Sequence, residues 1–304
     1  MADITAARYN NLQARINEVL GNGSGTTGYG QILTSSQVIA PSGATDADLI
    51  TAEDMINLYT DMVKARVHQV GPPAPTEIAQ VAVSDLVYED DPVGKTGIVQ
   101  FDNFMTTLEN DKLLVDTNSQ TSTETAGTVS NSRTSAWNGT ITHEFTVTFA
   151  DANIRRHFFN AGGQILLSAN ITGGSGDKTN NWRAVLQNMG TVKLTYTNTT
   201  TTAPLPNSTI TTTSIGNYDL TGTYQTIFSK TATGTYSDND YTVKAKQNNA
   251  AQIQIRIEFN DDAGPNPNYD ENVNGTLSSN IQIIRPTGDN VEVVAPSFAN
   301  ISTL

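Results

Sequence analysis

Apolar positions recur with two different periods along this chain. Near the N-terminus they return every three or four residues, as they do on one face of an α-helix. After about residue 143 they return at every second residue, which is the period of a strand with one buried face. The pattern therefore predicts a helical region followed by a β-rich region.

Three helices are predicted in the N-terminal region. They cover residues 3–20, the stretch between Thr51 and Gly71, and residues 98–114. Thr51 and Asp54 have the spacing of a capping box, in which each side chain bonds the backbone N–H of the other residue. This signature makes the start of the second helix the best defined boundary in the region.

The second predicted helix has an apolar stripe. Two short helices cannot bury every such stripe between themselves, so we expect this one to pack on another part of the chain or on another subunit. Tyr59, Val63 and Val67 are therefore candidate interface residues. The whole stripe consists of Ile56, Tyr59, Val63, Val67 and Val70.

The stretch from residue 137 to residue 190 predicts strand, turn, strand and helix. Residues 143–149 alternate polar and apolar, residues 154–159 form a short helix or turn, and a glycine corner leads into a strand over residues 164–169. A short helix follows over residues 182–187. Further strands are predicted over residues 192–197, 218–221, 224–230, 240–247, 251–259 and 276–285.

The predicted fold class is α+β, with a small helical N-terminal region followed by a mainly antiparallel β-sandwich domain. Residues 1–116 form the helical attachment region, and the Ser/Thr/Asn-rich residues 117–136 form a polar linker or loop. Residues 137–289 form the sandwich. Residues 290–304 form a last strand or an arm that docks on a neighbour.

Composition and charge narrow the function classes. The 304 residues carry a net charge of −13, which disfavours binding to nucleic acid or to an anionic membrane surface. Cysteine is absent, which excludes disulfides and thiolate metal sites. We see no long apolar run and no basic leader before Asp3, so we expect neither a transmembrane helix nor a signal peptide.

An Asn/Asp cluster near residue 260 supplies the oxygen ligands that a hard cation prefers. Asn, Asp, Gly and Pro are also the usual residues of solvated hairpin tips, so a cation at Asp261, Asp262 and Asp270 stays an open question. The cluster has no EF-hand spacing. It consists of Asn260, Asp261, Asp262, Asn266, Asn268, Asp270 and Glu271.

No catalytic, metal-binding or cofactor-binding residues are predicted. His143 and Glu144 are adjacent in a predicted strand, so their side chains point to opposite faces and cannot share a site. Neither HExxH nor a Ser/His/Asp arrangement occurs in the sequence, and we expect no enzymatic activity. Trp137 and Trp182 are either core residues or platforms on which a sugar stacks.

The densest basic triplet of this acidic chain is Arg155-Arg156-His157, followed by Phe158 and Phe159. Arginine and aromatic residues are enriched at the centres of interfaces, so all five residues are candidate interface residues. In the alternative interpretation the two phenylalanines anchor a corner of the fold and the cations lie in solvent or pair with nearby acids.

Two segments resemble virion structural proteins of tailed bacteriophages, particularly the T4-like phages of cyanobacteria. One contains HEFTVTFADANIRRHFFNAGGQI and NNWRAVLQNMG, within residues 137–190. The other contains YNNLQARINEVLGNGSGTTGYGQILTSSQV and ITAEDMINLYTDMVKARVHQVG, within residues 9–71. The resemblance implies a structural role in the virion and identifies no active site.

We therefore expect a non-enzymatic virion component of the tail, the neck or their appendages, which assembles with itself and with other virion proteins through multivalent contacts. Two alternatives remain at this point. The chain is a capsid decoration protein, or it is the receptor-binding module of a tail fibre and its sandwich binds host glycan.

Overall fold

The computed structural model describes residues 5–38, 50–85, 87–116, 121–203, 209–263 and 272–301, with the backbone alone for residues 121–129. The chain separates into two compact units. We call them the helical unit (Met1–Ser122, Arg156–Gly162 and Pro286–Val294) and the sandwich unit (Thr123–Arg155, Gly163–Arg285 and Ala295–Leu304).

The helical unit contains the three predicted helices, which are α1 (Ala6–Val19), α2 (Ala52–Val70) and α3 (Ile98–Asn110). The predicted capping box at the start of α2 is confirmed, because the Thr51 and Asp54 side chains each bond the backbone of the other residue. Gly71 ends α2 with φ of 81°, in the region that favours glycine. These helices therefore form where their local sequence signals predict them.

Polar side chains tie the helices to each other and to the loop between them. Arg15 on α1 makes an ion pair of 2.7 Å with Glu109 on α3. Asp61 on α2 is fully buried, and its carboxylate accepts hydrogen bonds from the backbone N–H groups of Thr34 and Ser35 at 2.9 and 2.7 Å. A buried carboxylate is stable only with such partners, so Asp61 fixes this loop against α2.

The sandwich unit consists of two antiparallel sheets packed together, as predicted. One sheet has the strand order β1, β10, β3, β4, β5, and the other has the order β11, β2, β9, β8, β7, β6. Two helices, α4 (Ala152–Asn160) and α5 (Asp177–Met189), flank β3 in the sequence. The strands are β1 (Thr121–Arg133), β2 (Gly139–Thr148), β3 (Gln164–Thr172), β4 (Val192–Leu194), β5 (Thr199–Thr201), β6 (Ile210–Thr212), β7 (Gln225–Thr231), β8 (Asp240–Asn249), β9 (Gln252–Asp261), β10 (Thr276–Pro286) and β11 (Ser297–Asn300).

Strand β9 shows how the sequence period builds the core. Its residues are alternately buried and partly exposed, and Ile253, Ile255, Ile257 and Phe259 are all fully buried. Successive side chains of a strand point to opposite faces, so this alternation places four large apolar groups between the sheets. The inward direction predicted for these four residues is confirmed.

An aromatic cluster lies at one end of this core, made of Trp137, His143, Trp182, Tyr241 and Phe259. The Phe259 ring centroid is 5.3 Å from those of Tyr241 and His143, 6.1 Å from that of Trp182 and 6.4 Å from that of Trp137. Phe259 is therefore the common contact of the cluster. Both tryptophans are at most 4% exposed, in agreement with a core role.

His143 connects the two sheets inside the core. Its Nδ1 is 2.7 Å from the hydroxyl of Ser279 on β10, and both side chains are fully buried. Glu144 points to the opposite face, where it makes an ion pair with Arg256 on β9. The prediction that His143 and Glu144 cannot share a site is confirmed.

We expect the stability of the sandwich to fall as the pH decreases from about 6.5 to about 4. Burial, with a smaller contribution from the charge of Arg133, lowers the pKa of His143 from 6.5 to about 4. In this pH range the unfolded chain binds a proton at His143 that the folded chain does not bind, so protons favour unfolding. One pKa unit corresponds to about 1.4 kcal/mol, and we expect a loss of about 2–3 kcal/mol.

Urea denaturation of the wild type and of His143→Gln at pH 7, 5.5 and 4.5 measures this effect. The variant lacks the titrating ring, so its stability should depend less steeply on pH across this range. Parallel pH profiles of the two proteins would contradict the assignment to His143.

Two sequence predictions differ from the structure, and a third had left two alternatives. The predicted polar linker contains β1, a strand with a Thr-rich sequence that lies at the edge of a sheet beside β10. The strand predicted over residues 218–221 is wrong, because Asn217–Asp219 forms a short 3-10 helix. In the C-terminal segment β11 pairs with β2, which confirms the strand alternative for residues 297–300.

Candidate functional site

Helix α2 has apolar side chains on two faces. Met55, Leu58, Met62 and Ala65 form one face and are fully buried in the helical unit. On an adjacent face, whose centre lies about 120° around the helix at 3.6 residues per turn, the predicted stripe keeps exposed surface. Tyr59, Val63 and Val67 are half-buried together with Ile56, and Val70 is 48% exposed. We call Ile56, Tyr59, Val63, Val67 and Val70 the α2 stripe.

Other exposed apolar side chains are concentrated in the helical unit. Among the described residues, the sandwich unit exposes only Tyr218 and Ile301 as large hydrophobic residues. Contiguous exposed apolar surface marks contact sites more often than scattered single residues do. The helical unit exposes Ile32, Val70, Val83, Tyr88, Val93, Leu113, Leu114 and Val294.

A groove of about 550 Å³ lies beside α2 within the helical unit. Ile32, 94% exposed, and Val294, 58% exposed, line it together with the charged residues Lys64 and Glu292. The groove is held by Gln31, whose side chain bonds the backbone oxygen of Glu292 at 2.8 Å and its backbone nitrogen at 3.1 Å. Apolar and charged residues occur together at protein contact sites, where the apolar residues form the buried core and the charged residues the rim.

The basic triplet is not a surface patch. Arg155 is only 5% exposed, and its guanidinium donates to the Asn217 side chain at 2.8 Å and to the backbone oxygens of Asn217 and Asn249 at 3.2 and 3.3 Å. Burial lowers the pKa of Arg155 to about 10. Its donors are thus already used inside the sandwich unit.

The other four residues of that interface prediction are also mostly inside the protein. Phe158 and Phe159 are fully buried, and His157 is 6% exposed. Arg156 is half-buried and donates to the backbone oxygen of Asn22 at 2.8 Å, and the His157 ring lies 3.0 Å from the same oxygen. These side chains hold their own chain together, as the alternative interpretation describes, and a role for them at an interface stays a prediction. Among the candidate interface residues, Arg156, Tyr59, Val63 and Val67 retain partly exposed surface.

The Asn/Asp cluster is divided by the structure. Asp261 is buried and bonded to a lysine, whereas Asp262 is exposed. Asn260 lies in β9 and donates a hydrogen bond to the Asp240 side chain at 2.9 Å. The other four candidates, including Asp270, lie outside the described residues. Within the described part of the chain, no group of three or more His, Asp or Glu residues has a metal-binding arrangement. The charge of Asp261 is therefore balanced by a lysine of the same chain.

The partner of Asp261 is Lys178, in the first turn of α5. The Lys178 Nζ is 2.7 Å from the Asp261 Oδ2, and the two side chains are 1% and 0% exposed. The indole N–H of Trp182 donates to the Asp261 Oδ1 at 3.3 Å. We call Lys178, Asp261 and Trp182 the buried ion-pair site.

Sequence reasoning missed this site, although one local signal was available. The positive N-terminal end of a helix disfavours a lysine in its first turn, and Lys178 occupies that position in α5. A local preference that is violated indicates a compensating tertiary partner. That partner is Asp261, at the far end of β9.

A polar depression of about 780 Å³ lies on the sandwich unit around Arg133, Thr140, Glu144 and Arg256. Trp137 contributes to its wall but is only 4% exposed. A sugar ring stacks on an open aromatic face, and neither tryptophan offers one. The glycan alternative therefore has no stacking platform at these two residues.

Among the described residues, no helix has the length and apolar character required to span a membrane. The chain matches no protein-family model, and no curated protein or solved structure is significantly similar to it.

Proposed function

We propose that this chain is a non-enzymatic structural component of a tailed-phage virion and that the α2 stripe joins it to a second copy of itself. The observation that carries the proposal is the second apolar face of α2, which remains partly exposed within the chain. The resemblance of residues 9–71 and 137–190 to virion structural proteins supports the location. The exposed apolar surface of the α2 stripe supports self-association of the chain.

Self-association suits such a role because symmetry repeats one contact many times. A helix face that packs on the same face of another copy forms a two-fold contact, and a ring or shell combines many modest contacts into a stable assembly. The neighbouring groove, which Ile32 and Val294 line, adds exposed apolar surface that is available to such a contact.

We expect the double substitution Val63→Asp and Val67→Asp to weaken self-association by about a hundredfold or more. Each buried, unpaired carboxylate costs several kcal/mol, and about 1.4 kcal/mol corresponds to a factor of ten in affinity. Both side chains are half-buried, so the helical unit should still fold. Light scattering over a range of protein concentrations measures the change in mass.

Asn57→Asp is the matched control, since it adds a carboxylate to the same helix away from the α2 stripe. The wild type and this control should form the same oligomer, and the double variant should be a monomer with an unchanged circular dichroism spectrum. A wild-type monomer at all concentrations would contradict self-association through the stripe. Absence of the chain from purified phage particles, measured by mass spectrometry, would contradict the virion role independently.

A further inference from the structure

We propose that Lys178 and Asp261 condense to form an intramolecular amide bond, which covalently joins helix α5 to the end of strand β9. This inference concerns the buried ion-pair site alone and is independent of the proposed virion role. It rests on three features of that site: the contact between the two reacting groups, the exclusion of water and a hydrogen-bond donor placed on the carboxyl group.

The reacting groups are held together by the fold. The Lys178 Nζ lies 2.7 Å from the Asp261 Oδ2, and both residues belong to regular elements rather than to loops. Two groups fixed in this way react as if each were present at an effective concentration of about 10⁵–10⁸ M. Such proximity compensates for the low reactivity of an unactivated carboxyl group.

The surroundings favour the neutral forms that the reaction requires. A lysine attacks only as a free amine, and a carboxyl group loses hydroxide far more readily when it is protonated. The two side chains are at most 1% exposed, and the aromatic cluster residues Trp182 and Phe259 lie beside them. Burial disfavours separated charges, and it raises the pKa of Asp261 despite the opposing effects of Lys178, Trp182 and Asn239.

The bond changes are balanced without any co-reactant. A proton passes from the Lys178 ammonium to the Asp261 Oδ2, which leaves a neutral amine and a carboxylic acid. The Nζ lone pair then attacks Cγ, the C–N bond forms, and the electron pair of the C=O bond moves to Oδ1. A second proton passes from Nζ to Oδ2, the C–Oδ2 bond breaks, and Oδ2 leaves as water while the carbonyl reforms at Oδ1.

Trp182 has a defined part in this sequence as a positioning residue. Its indole N–H points to Oδ1, the oxygen that becomes negative when the amine attacks. A donor fixed at the developing charge in a water-excluded site stabilises the tetrahedral intermediate. Oδ2, the oxygen nearest to Nζ, is the one that receives the protons and departs.

Asn239 is a neighbour of Asp261 that offers a competing reaction. It is fully buried, and its Oδ1 accepts a hydrogen bond from the Ala263 backbone N–H at 2.9 Å, which leaves its amide nitrogen free to face Asp261. An amide bond between Lys178 and Asn239 would release ammonia instead of water. The mass of the protein distinguishes the two reactions.

The test is the mass of the purified, full-length wild-type chain under denaturing conditions. We expect a mass lower than the sequence mass by one water molecule. The amide also blocks tryptic cleavage after Lys178, so digestion should give residues 157–183 linked to residues 257–304. Fragmentation of this linked peptide should place the bond at Lys178 and Asp261.

Two variants serve as controls. Lys178→Arg keeps a positive charge but lacks the attacking amine, and Asp261→Ala lacks the carboxyl group, so both should have their full sequence masses. Wild-type protein that is recovered from insoluble aggregates and kept in urea, so that it has never folded, should have its full sequence mass and should lose water only after refolding, because the reaction depends on the folded site.

Several results would overturn the proposal. A wild-type mass equal to the sequence mass would show that the pair stays ionic. Water loss without the linked peptide would indicate a different modification. Loss of ammonia, with Asn239 in the linked peptide, would show that Lys178 is joined to Asn239 and not to Asp261. None of these readouts requires that a variant fold, since each is made on the wild type.

Discussion

Replacing Lys178 with methionine is expected to destabilise the sandwich unit by about 3–5 kcal/mol relative to Lys178→Arg, which keeps a cation beside Asp261 and cannot form the amide, because Asp261 would keep a buried carboxyl group without its cation. Methionine has nearly the length of lysine, so the change removes charge and hydrogen bonding with little loss of volume. Urea denaturation followed by tryptophan fluorescence measures the effect, since Trp182 bonds to Asp261 and reports on this site.

The double variant Lys178→Met with Asp261→Leu separates charge from packing. Removing both partners leaves no buried charge, and such replacements of ion pairs are often neutral or stabilising. We therefore expect the double variant to recover most of the stability that the single substitution loses. A Lys178→Met variant as stable as Lys178→Arg would mean that the ionic contact contributes nothing to folding.

Phe259→Ala is expected to destabilise the same unit by about 3–5 kcal/mol, the usual cost of removing a buried aromatic side chain. Phe259 is fully buried and contacts the other four members of the aromatic cluster. Because rings surround Phe259 and are held by their own contacts, they cannot all move in to fill the space that its side chain leaves. The resulting cavity should persist. Thermal and urea denaturation measure the loss.

Ile301→Ala is the matched control for Phe259→Ala, because Ile301 is a large apolar residue of the same unit and is 44% exposed. Its truncation should change stability by at most about 0.5 kcal/mol, as is usual for surface positions. Similar losses in both variants would show that stability is spread over the unit and that the aromatic cluster has no special weight.

The parts of the fold that sequence reasoning predicted are those with local signals. The start of α2 follows from two residues three positions apart, and the faces of β9 follow from strict alternation within one strand. Neither inference requires knowledge of a distant partner. The fold class followed from the same periods, applied to the whole chain.

The parts that it missed depend on partners far away in the sequence. Strand β1 has few apolar residues, and its strand conformation is completed by pairing with β10. Arg155 looked like a surface cation, but carbonyl oxygens near residues 217 and 249 satisfy its guanidinium inside the protein. Periodicity within one segment contains no information about such contacts.

Sequence reasoning predicted only the part of the candidate surface that has a local pattern. The α2 stripe has helical spacing that is visible in the sequence, and Tyr59, Val63 and Val67 do keep exposed surface. The groove is lined by Ile32 and Val294, which are far apart in the sequence, so no local pattern indicated it.

The discontinuous make-up of the helical unit has a consequence for the order of folding during synthesis. Its first 122 residues leave the ribosome early, but residues 156–162 and 286–294 also belong to it. The side chain of His68 is hydrogen-bonded to the backbone oxygen of Ala161, and that of Asn160 donates to the backbone oxygen of Gly28. Gln31 can form its hydrogen bond to the backbone oxygen of Glu292 only after that residue has been synthesised. The helical unit therefore reaches its final structure only after residues 286–294 have been synthesised, which delays exposure of a finished assembly surface until the strands of the sandwich unit before them have left the ribosome.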